Sequence, residues 1–247
     1  MAFPGDAVLV QAKMDIPAGV PAFDIRNQCS GFLYGLQMAH AFIGQGLYRR
    51  ILLIGSEVHS TGLDFTDRGR DVAVIFGDGA AAAVLGPSDG ERGILSVQLH
   101  ADGRFADALK LDYPSSAERV RMALDQYPDP ERVYPQMKGR MVFKHATTRM
   151  PQAVRAVLAE NNYGTEDIDL LIPHQANLRI SELVQRQLGL KDEQVFNNIQ
   201  HYGNTTACSI PLALDEARKT GRIKEGDLLC LAAFGAGFTW GSALIRL

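Results

Sequence analysis

The chain has 247 residues, 46% apolar and 21% charged, a globular composition long enough for one large domain or two small ones. Its 25 basic and 28 acidic residues give a formal charge of −3, which points away from nucleic acid, and no apolar run reaches the length of a membrane span. The opening MAFPGDAVLVQAK has no basic region followed by a long apolar core and predicts no signal peptide. Three scattered cysteines, Cys29, Cys208 and Cys230, suit a reducing, cytoplasmic setting rather than a disulfide framework.

In chain order, Phe32, Leu33, Leu36, Ala39, Phe42 and Ile43 fall at helical spacing. A turn over 44–48 then leads to the apolar run 51–54, which reads as a buried strand. Residues 72–76 and 80–85 read as two strands joined by a tight reversal at Gly77-Asp78-Gly79. Residues 102–140 contain four prolines and form a long excursion. Helices follow over 148–160, 178–188 and 210–219. Strands are expected over 169–172, 195–199, 228–233 and 243–247, the last two flanking a glycine-rich break.

The two ends of this series resemble each other. Around Cys29 the order is helix, turn, strand ILLIG, glycine-rich break, strand AAAVL. Around Asn204 it is helix, turn, strand LLCLAA, break FGAG, strand SALIRL. PGDAVLVQAKMDI before the first unit has the pattern of ANLRISELVQRQLGL before the second. This predicts an internal duplication, two α/β halves in a layered sheet-and-helix sandwich. The second half has a helix and a strand before its ANLRI helix, and nothing equivalent precedes Gly5. The expectation is a first half that begins in mid-domain and is completed by upstream residues.

Four segments carry chemistry. In Asp24-Ile25-Arg26-Asn27-Gln28-Cys29-Ser30-Gly31-Phe32, Cys29 falls at the turn into a helix. Free N–H groups and a partial positive charge there favour a thiolate, and Gly31 would admit a ligand close to the helix start. On position alone a nucleophile and a small buried hydrophobe are equally open readings. In Ile172-Pro173-His174-Gln175, His174 stands where a strand ends and a helix approaches, a place that lines ligand crevices in α/β sheets. In His201-Tyr202-Gly203-Asn204-Thr205-Thr206, the duplication puts Asn204 near the position of Cys29; helix capping is its alternative, and His201 is a competing histidine. In Phe234-Gly235-Ala236-Gly237-Phe238-Thr239-Trp240-Gly241, small residues would let backbone amides face an oxyanion. Glu57 and His59 read as a plain loop. No metal-ligand spacing, GxSxG, Walker A or dinucleotide fingerprint is present, so no metal or cofactor is expected.

At these segments the chain resembles the β-ketoacyl-ACP synthase III family of the thiolase-like superfamily. DIRNQCSGF, TDRGRDVAVIFGDGAAAAVL, IPHQANLRI, GNTTACSIPLALDEA and AFGAGFTWGSALIRL occur in the family's order over nearly the whole chain. The resemblance implies a duplicated, layered α-β-α-β-α fold: an incomplete first half over 1–101, the excursion 102–140 near an acyl pocket, and a second half over 141–247. It implies an acyl-CoA thioester attacked by Cys29, with the backbone N–H groups of Cys29 and Ala236 as oxyanion hole. Malonyl-ACP decarboxylation would then be assisted by His174 and Asn204. It further implies that Arg68, Asn177 and Arg179 serve CoA and the acyl carrier protein. Phe143 and Phe234 would line the acyl pocket, and Phe3 would reach the partner's pocket in a homodimer. One departure is the length of 102–136; Cys29 and His174 stand 145 residues apart. With DIRNQCSG and DRGR it is also similar to synthase-III-like acyl- or aroyltransferases of secondary metabolism. An inactive scaffold subunit is a further alternative.

Overall fold

A computed structural model of the chain describes residues 4–88, 90–112 and 130–247. The helix α1 (Asp6–Lys13) leads through an extended stretch to α2 (Gly31–Gly44), which buries Phe32, Leu33, Leu36 and Ala39 on one face, as their spacing requires. Strand β1 (Ile51–Glu57) pairs antiparallel with β2 (Gly79–Leu85), Ile51 opposite Leu85 and Glu57 opposite Gly79. Between them lies the short helix α3 (Arg70–Ala73).

This corrects the expectation of a strand over 72–76. That run turns helically, and at its end Phe76 makes an isolated bridge to Asn204. Gly77-Asp78-Gly79 therefore does not join two paired strands. Asp78 instead accepts from the backbone N–H groups of His59 (2.6 Å) and Ser60 (2.9 Å) and from the Ser60 hydroxyl (2.6 Å). The loop reading of Glu57 and His59 holds for His59 alone: Glu57 closes β1 opposite Gly79, because the antiparallel pairing with β2 carries the strand three residues past the apolar run 51–54.

β3 (Gly93–Ala101) runs into a 3-10 turn over Gly103–Ala108. Two short strands, β4 (Leu109–Lys110) and β5 (Gln136–Met137), pair antiparallel, so the excursion leaves and returns at one place. Residues 113–129, within the predicted excursion, lie outside the described residues. α4 (Gly139–Glu160) starts nine residues before the sequence-based boundary at 148. It is followed by β6 (Leu170–Pro173), α5 (Leu178–Leu188), a single-turn α6 (Ile199–Tyr202), α7 (Ser209–Lys219), β7 (Leu228–Gly235) and β8 (Thr239–Arg246). The strand expected over 195–199 reduces to one bridge, Val195 to Leu171, before α6 begins.

The main sheet has the order β3-β8-β7-β6, with β6 parallel to β7 and the other pairs antiparallel. β7 is apolar and buried throughout, as a strand covered on both faces must be. Alternate residues face opposite layers. Leu228, Cys230, Ala232 and Phe234 join Val154, Val157 and Leu158 of α4 and Val184 and Leu188 of α5. Leu229, Leu231 and Ala233 join Phe32, Leu33 and Leu36 of α2 and Ile210, Ala213 and Ala217 of α7. Leu53, Ala83 and Leu85 of the β1–β2 pair pack on this second group. The layers therefore run α4/α5, main sheet, α2/α7, second sheet. The far side of β1–β2 is open: Leu52, Ile54 and Val84 are 37%, 39% and 73% exposed. The run 51–54 is thus covered on one face only, because among the described residues nothing packs on the other. Among the described residues no helix is long and apolar enough to cross a membrane.

Candidate active site

Cys29 sits one turn ahead of α2, in a bend closed by the Gly31 N–H donating to the Gln28 carbonyl at 2.7 Å. It is 5% exposed and lies against the end of β7. A Cβ on Gly235 would stand 2.4 Å from Cys29 Cβ and 3.0 Å from Sγ, so only glycine lets the strand end come this close. Burial, helped by the Glu57 carboxylate, pushes the thiol up to about 12 from an ordinary 9.0; the backbone N–H groups of Ala236 and of Cys29 itself pull it back. The helix start that favours a thiolate is thus opposed by burial, which favours the thiol. The two amides expected at the oxyanion are the two that reach the sulfur. Gly31 also serves packing, since a Cβ there would meet Ala207 Cβ at 3.3 Å.

His174 follows β6 directly. Its N–H donates to the Ala232 carbonyl of β7 at 2.7 Å, which fixes it beside the same strand end. The side chain is buried, with Nδ1 2.6 Å from Ser209 Oγ, and Nε2 has no partner among the described residues. Burial lowers its pKa from 6.5 to about 3, so the ring is neutral at any physiological pH.

Asn204 is held by its backbone. Its N–H donates to the Ile75 carbonyl at 2.8 Å, and its own carbonyl accepts from the Gly77 N–H at 3.1 Å. The preceding Gly203 adopts φ 67, and a Cβ there would also come within 3.0 Å of the Ile75 carbonyl oxygen. The Asn204 Oδ1 accepts from the Thr206 N–H at 2.9 Å, which leaves the amide NH₂ as the group still able to donate. Asn204 therefore caps a turn and also keeps a donor. Ala207 meets Gly31 at the start of α2, and Ser209 meets His174; these contacts gather Cys29, His174 and the Asn204 turn around one end of β7. His201, the competing histidine, is exposed.

The other expected residues lie farther out. Arg68 is paired with Asp64 at 2.6 Å and stacks 5.6 Å from the Tyr134 ring, in a cleft of ≈ 190 Å³. Asn177 caps α5 by accepting from the Arg179 N–H at 2.9 Å, and both residues are exposed. Phe234 is buried and Phe143 half-buried in one apolar group; Phe238 is 4.7 Å from Phe234. Phe3 lies outside the described residues.

Three supporting side chains had no role in the sequence reading. Ser209 touches His174. Gln175 donates to the Pro173 carbonyl (2.7 Å) and accepts from the Asn198 (3.0 Å) and Ile199 (3.2 Å) N–H groups, which ties the His174 loop to the approach of Asn204. Thr239 Oγ1 lies 2.7 Å from Ser30 Oγ and 2.9 Å from the Ala236 carbonyl, which ties the nucleophile turn to the oxyanion loop. The only sequence signal was a polar residue inside each quoted motif. Among the described residues no group of three or more His, Cys, Asp or Glu could hold a metal.

Comparison with known proteins fits this geometry. The family model described as 3-Oxoacyl-[acyl-carrier-protein (ACP)] synthase III matches residues 23–103, and that of its C terminal part matches 158–247. The chain is 48% identical to the Beta-ketoacyl-[acyl-carrier-protein] synthase III of Rhodospirillum rubrum, over 99% of the chain and 73% of that protein. It superposes on the crystal structure of 3-oxoacyl-[acyl-carrier-protein] synthase III from Aquifex aeolicus VF5 with a TM-score of 0.89 at 41% identity, covering 100% of the chain and 73% of the other. It superposes on the priming beta-ketosynthase of the R1128 polyketide pathway with a TM-score of 0.86 at 30% identity, covering 100% and 71%. The fold is thiolase-like, and the chain belongs to the 3-oxoacyl-[acyl-carrier-protein] synthase III family of condensing acyltransferases.

Proposed function

We propose that this enzyme joins an acyl-CoA to malonyl-ACP through an acyl-cysteine at Cys29, the first condensation of fatty acid synthesis. The observation that carries the reading is a buried cysteine facing two backbone amides, beside a neutral histidine with a free Nε2 and an asparagine with a free amide.

In the first half-reaction the Cys29 sulfur attacks the thioester carbonyl, and the Cys29 and Ala236 N–H groups hold the developing oxyanion. The C–S bond to CoA breaks, and CoA leaves as a thiol carrying the proton Cys29 gave up. In the second, malonyl-ACP loses CO₂. The negative charge settles on its thioester oxygen, where His174 Nε2–H and the Asn204 amide donate. These donors meet charge that exists only along the reaction path, so they lower the barrier rather than tighten binding. The carbanion attacks the acyl-Cys29 carbonyl and expels the Cys29 thiolate, which regains a proton from solvent. The two thioester substrates thus react in ping-pong order.

Arg68, beside Tyr134, offers a guanidinium to the CoA phosphates, with Asn177 and Arg179 nearer the carrier arm. Phe143 and Phe234 bound the acyl chain. A homodimer that lends Phe3 to the neighbouring pocket, and a cytoplasmic setting for the three free thiols, complete the reading.

The test is incubation with acetyl-CoA and malonyl-ACP, with products resolved by mass spectrometry. The expected products are 3-oxobutyryl-ACP, free CoA and CO₂. Malonyl-ACP returned unchanged, or acetyl delivered to a different acceptor, contradicts the proposal.

A further inference from the structure

We propose that Ser209 is a positioning residue that fixes the tautomer of His174, so that Nε2 carries the hydrogen and can act only as a donor. The inference rests on the reading of His174 as a donor to the malonyl thioester oxygen, and it explains how a neutral imidazole is held to that role.

A neutral imidazole has one N–H and one bare nitrogen, and its partner decides which is which. Ser209 Oγ lies 2.6 Å from His174 Nδ1, so one hydrogen must stand between them. The same oxygen accepts from the Gln175 N–H at 3.3 Å. Ser209 is 1% exposed, and these are the two hydrogen-bonding groups it meets among the described residues. If Nδ1 supplied the shared hydrogen, the serine would accept twice and its own O–H would be buried with no acceptor. If the serine supplies it, all three groups are satisfied: Gln175 donates to Oγ, Oγ donates to Nδ1, and the ring hydrogen moves to Nε2. Nε2 is the one ring atom left without a partner, buried and free for a ligand. Burial keeps the ring from taking a second proton, so no other route to a donor at Nε2 exists near neutral pH. The contact spans 35 residues, from the end of β6 to the first residue of α7.

The experiment is ¹⁵N NMR of the enzyme labelled at histidine, with the His174 signals identified by their loss in His174→Ala. Wild type should show a pyrrole-type Nε2 and a pyridine-type Nδ1. Ser209→Ala should mix or reverse the two, lower condensation at least tenfold, and leave acylation of Cys29 within about threefold. Ser209→Thr, which keeps the hydroxyl, should restore both the tautomer and condensation. A wild-type ring protonated at Nδ1 overturns the proposal without any variant, as does an Nε2–H ring that persists unchanged in Ser209→Ala. A tautomer that shifts in Ser209→Ala while condensation stays at the wild-type rate supports the role of Ser209 and refutes the donor role assigned to His174.

Discussion

Replacing Gly235 by alanine tests the packing that brings the oxyanion loop to the nucleophile. The new methyl would stand 2.4 Å from Cys29 Cβ and 3.3 Å from its Cα. Carbon atoms settle at roughly 3.5–4.0 Å, so strand end and nucleophile must part by about 1 Å or more. The atoms it would meet are the Cβ, Sγ and Cα of Cys29, so no flexible side-chain tip can simply swing away. Gly235 is not among the glycines with positive φ, so the alanine meets this contact and no backbone strain. Overpacking of this kind costs about 1–3 kcal/mol. The kinetic effect is larger, because the Ala236 N–H is displaced with the strand, and a shift of about 1 Å can cost on the order of a hundredfold. Thermal melting and the rate of acetyl transfer from CoA to Cys29, followed by intact-protein mass, read the two effects separately. Gly235→Ala acylated at the wild-type rate with an unchanged melt would refute the close approach of β7 to Cys29.

Cys29→Ala should abolish acylation and retain some malonyl decarboxylation. His174→Ala and Asn204→Ala should spare acylation and lower condensation on the order of a hundredfold or more, the loss expected of an oxyanion-type donor; separate half-reaction assays decide. Thr239→Val keeps the shape and removes the hydroxyl between Ser30 and the Ala236 carbonyl, so it should cost about 1 kcal/mol in a melt and slow acylation, with Thr239→Ser close to wild type. The folded pKa of His174 lies below its unfolded value, at about 3 against 6.5, so the unfolded chain binds the extra proton between these limits and stability falls as pH drops below 6.5. Urea titrations should show His174→Ala losing less stability than wild type between pH 6.5 and 4.5, by up to roughly 1.4 kcal/mol per pH unit. Cys230, raised to about 12 by burial, works in the opposite direction: its stability contribution is lost above pH 9, and Cys230→Ala should lessen alkaline unfolding.

Local signals carried the elements whose ends are set locally. The helix over 178–188 was legible to the residue, because Asn177 caps its start and Gly189 closes it at φ 72. The early part of α4 was hidden because Gly139, Thr147 and Thr148 have low helix propensity and weaken the local signal there. Residues 72–76 are apolar enough for either a strand or a helical turn, and only the distant partner Asn204 decides. The site divides in the same way. Cys29, His174 and Asn204 stand at element junctions that sequence marks. Ser209 and Thr239 act across 35 and 209 residues on His174 and Ser30, and no spacing rule reports such a contact. The burial of Cys29 is hidden for a related reason, since the helix start is visible in sequence and the depth of burial is not.

In the proposed reaction Cys29 carries the acyl group between two thioesters. Incubating the enzyme with radiolabelled acetyl-CoA, then digesting and sequencing the labelled peptide, tests it most directly. Label is expected on Cys29 alone, stable after removal of free acetyl-CoA, and discharged as 3-oxobutyryl-ACP once malonyl-ACP is added. Label on Cys208, Cys230 or a hydroxyl residue, or label on Cys29 that malonyl-ACP does not remove, would contradict it.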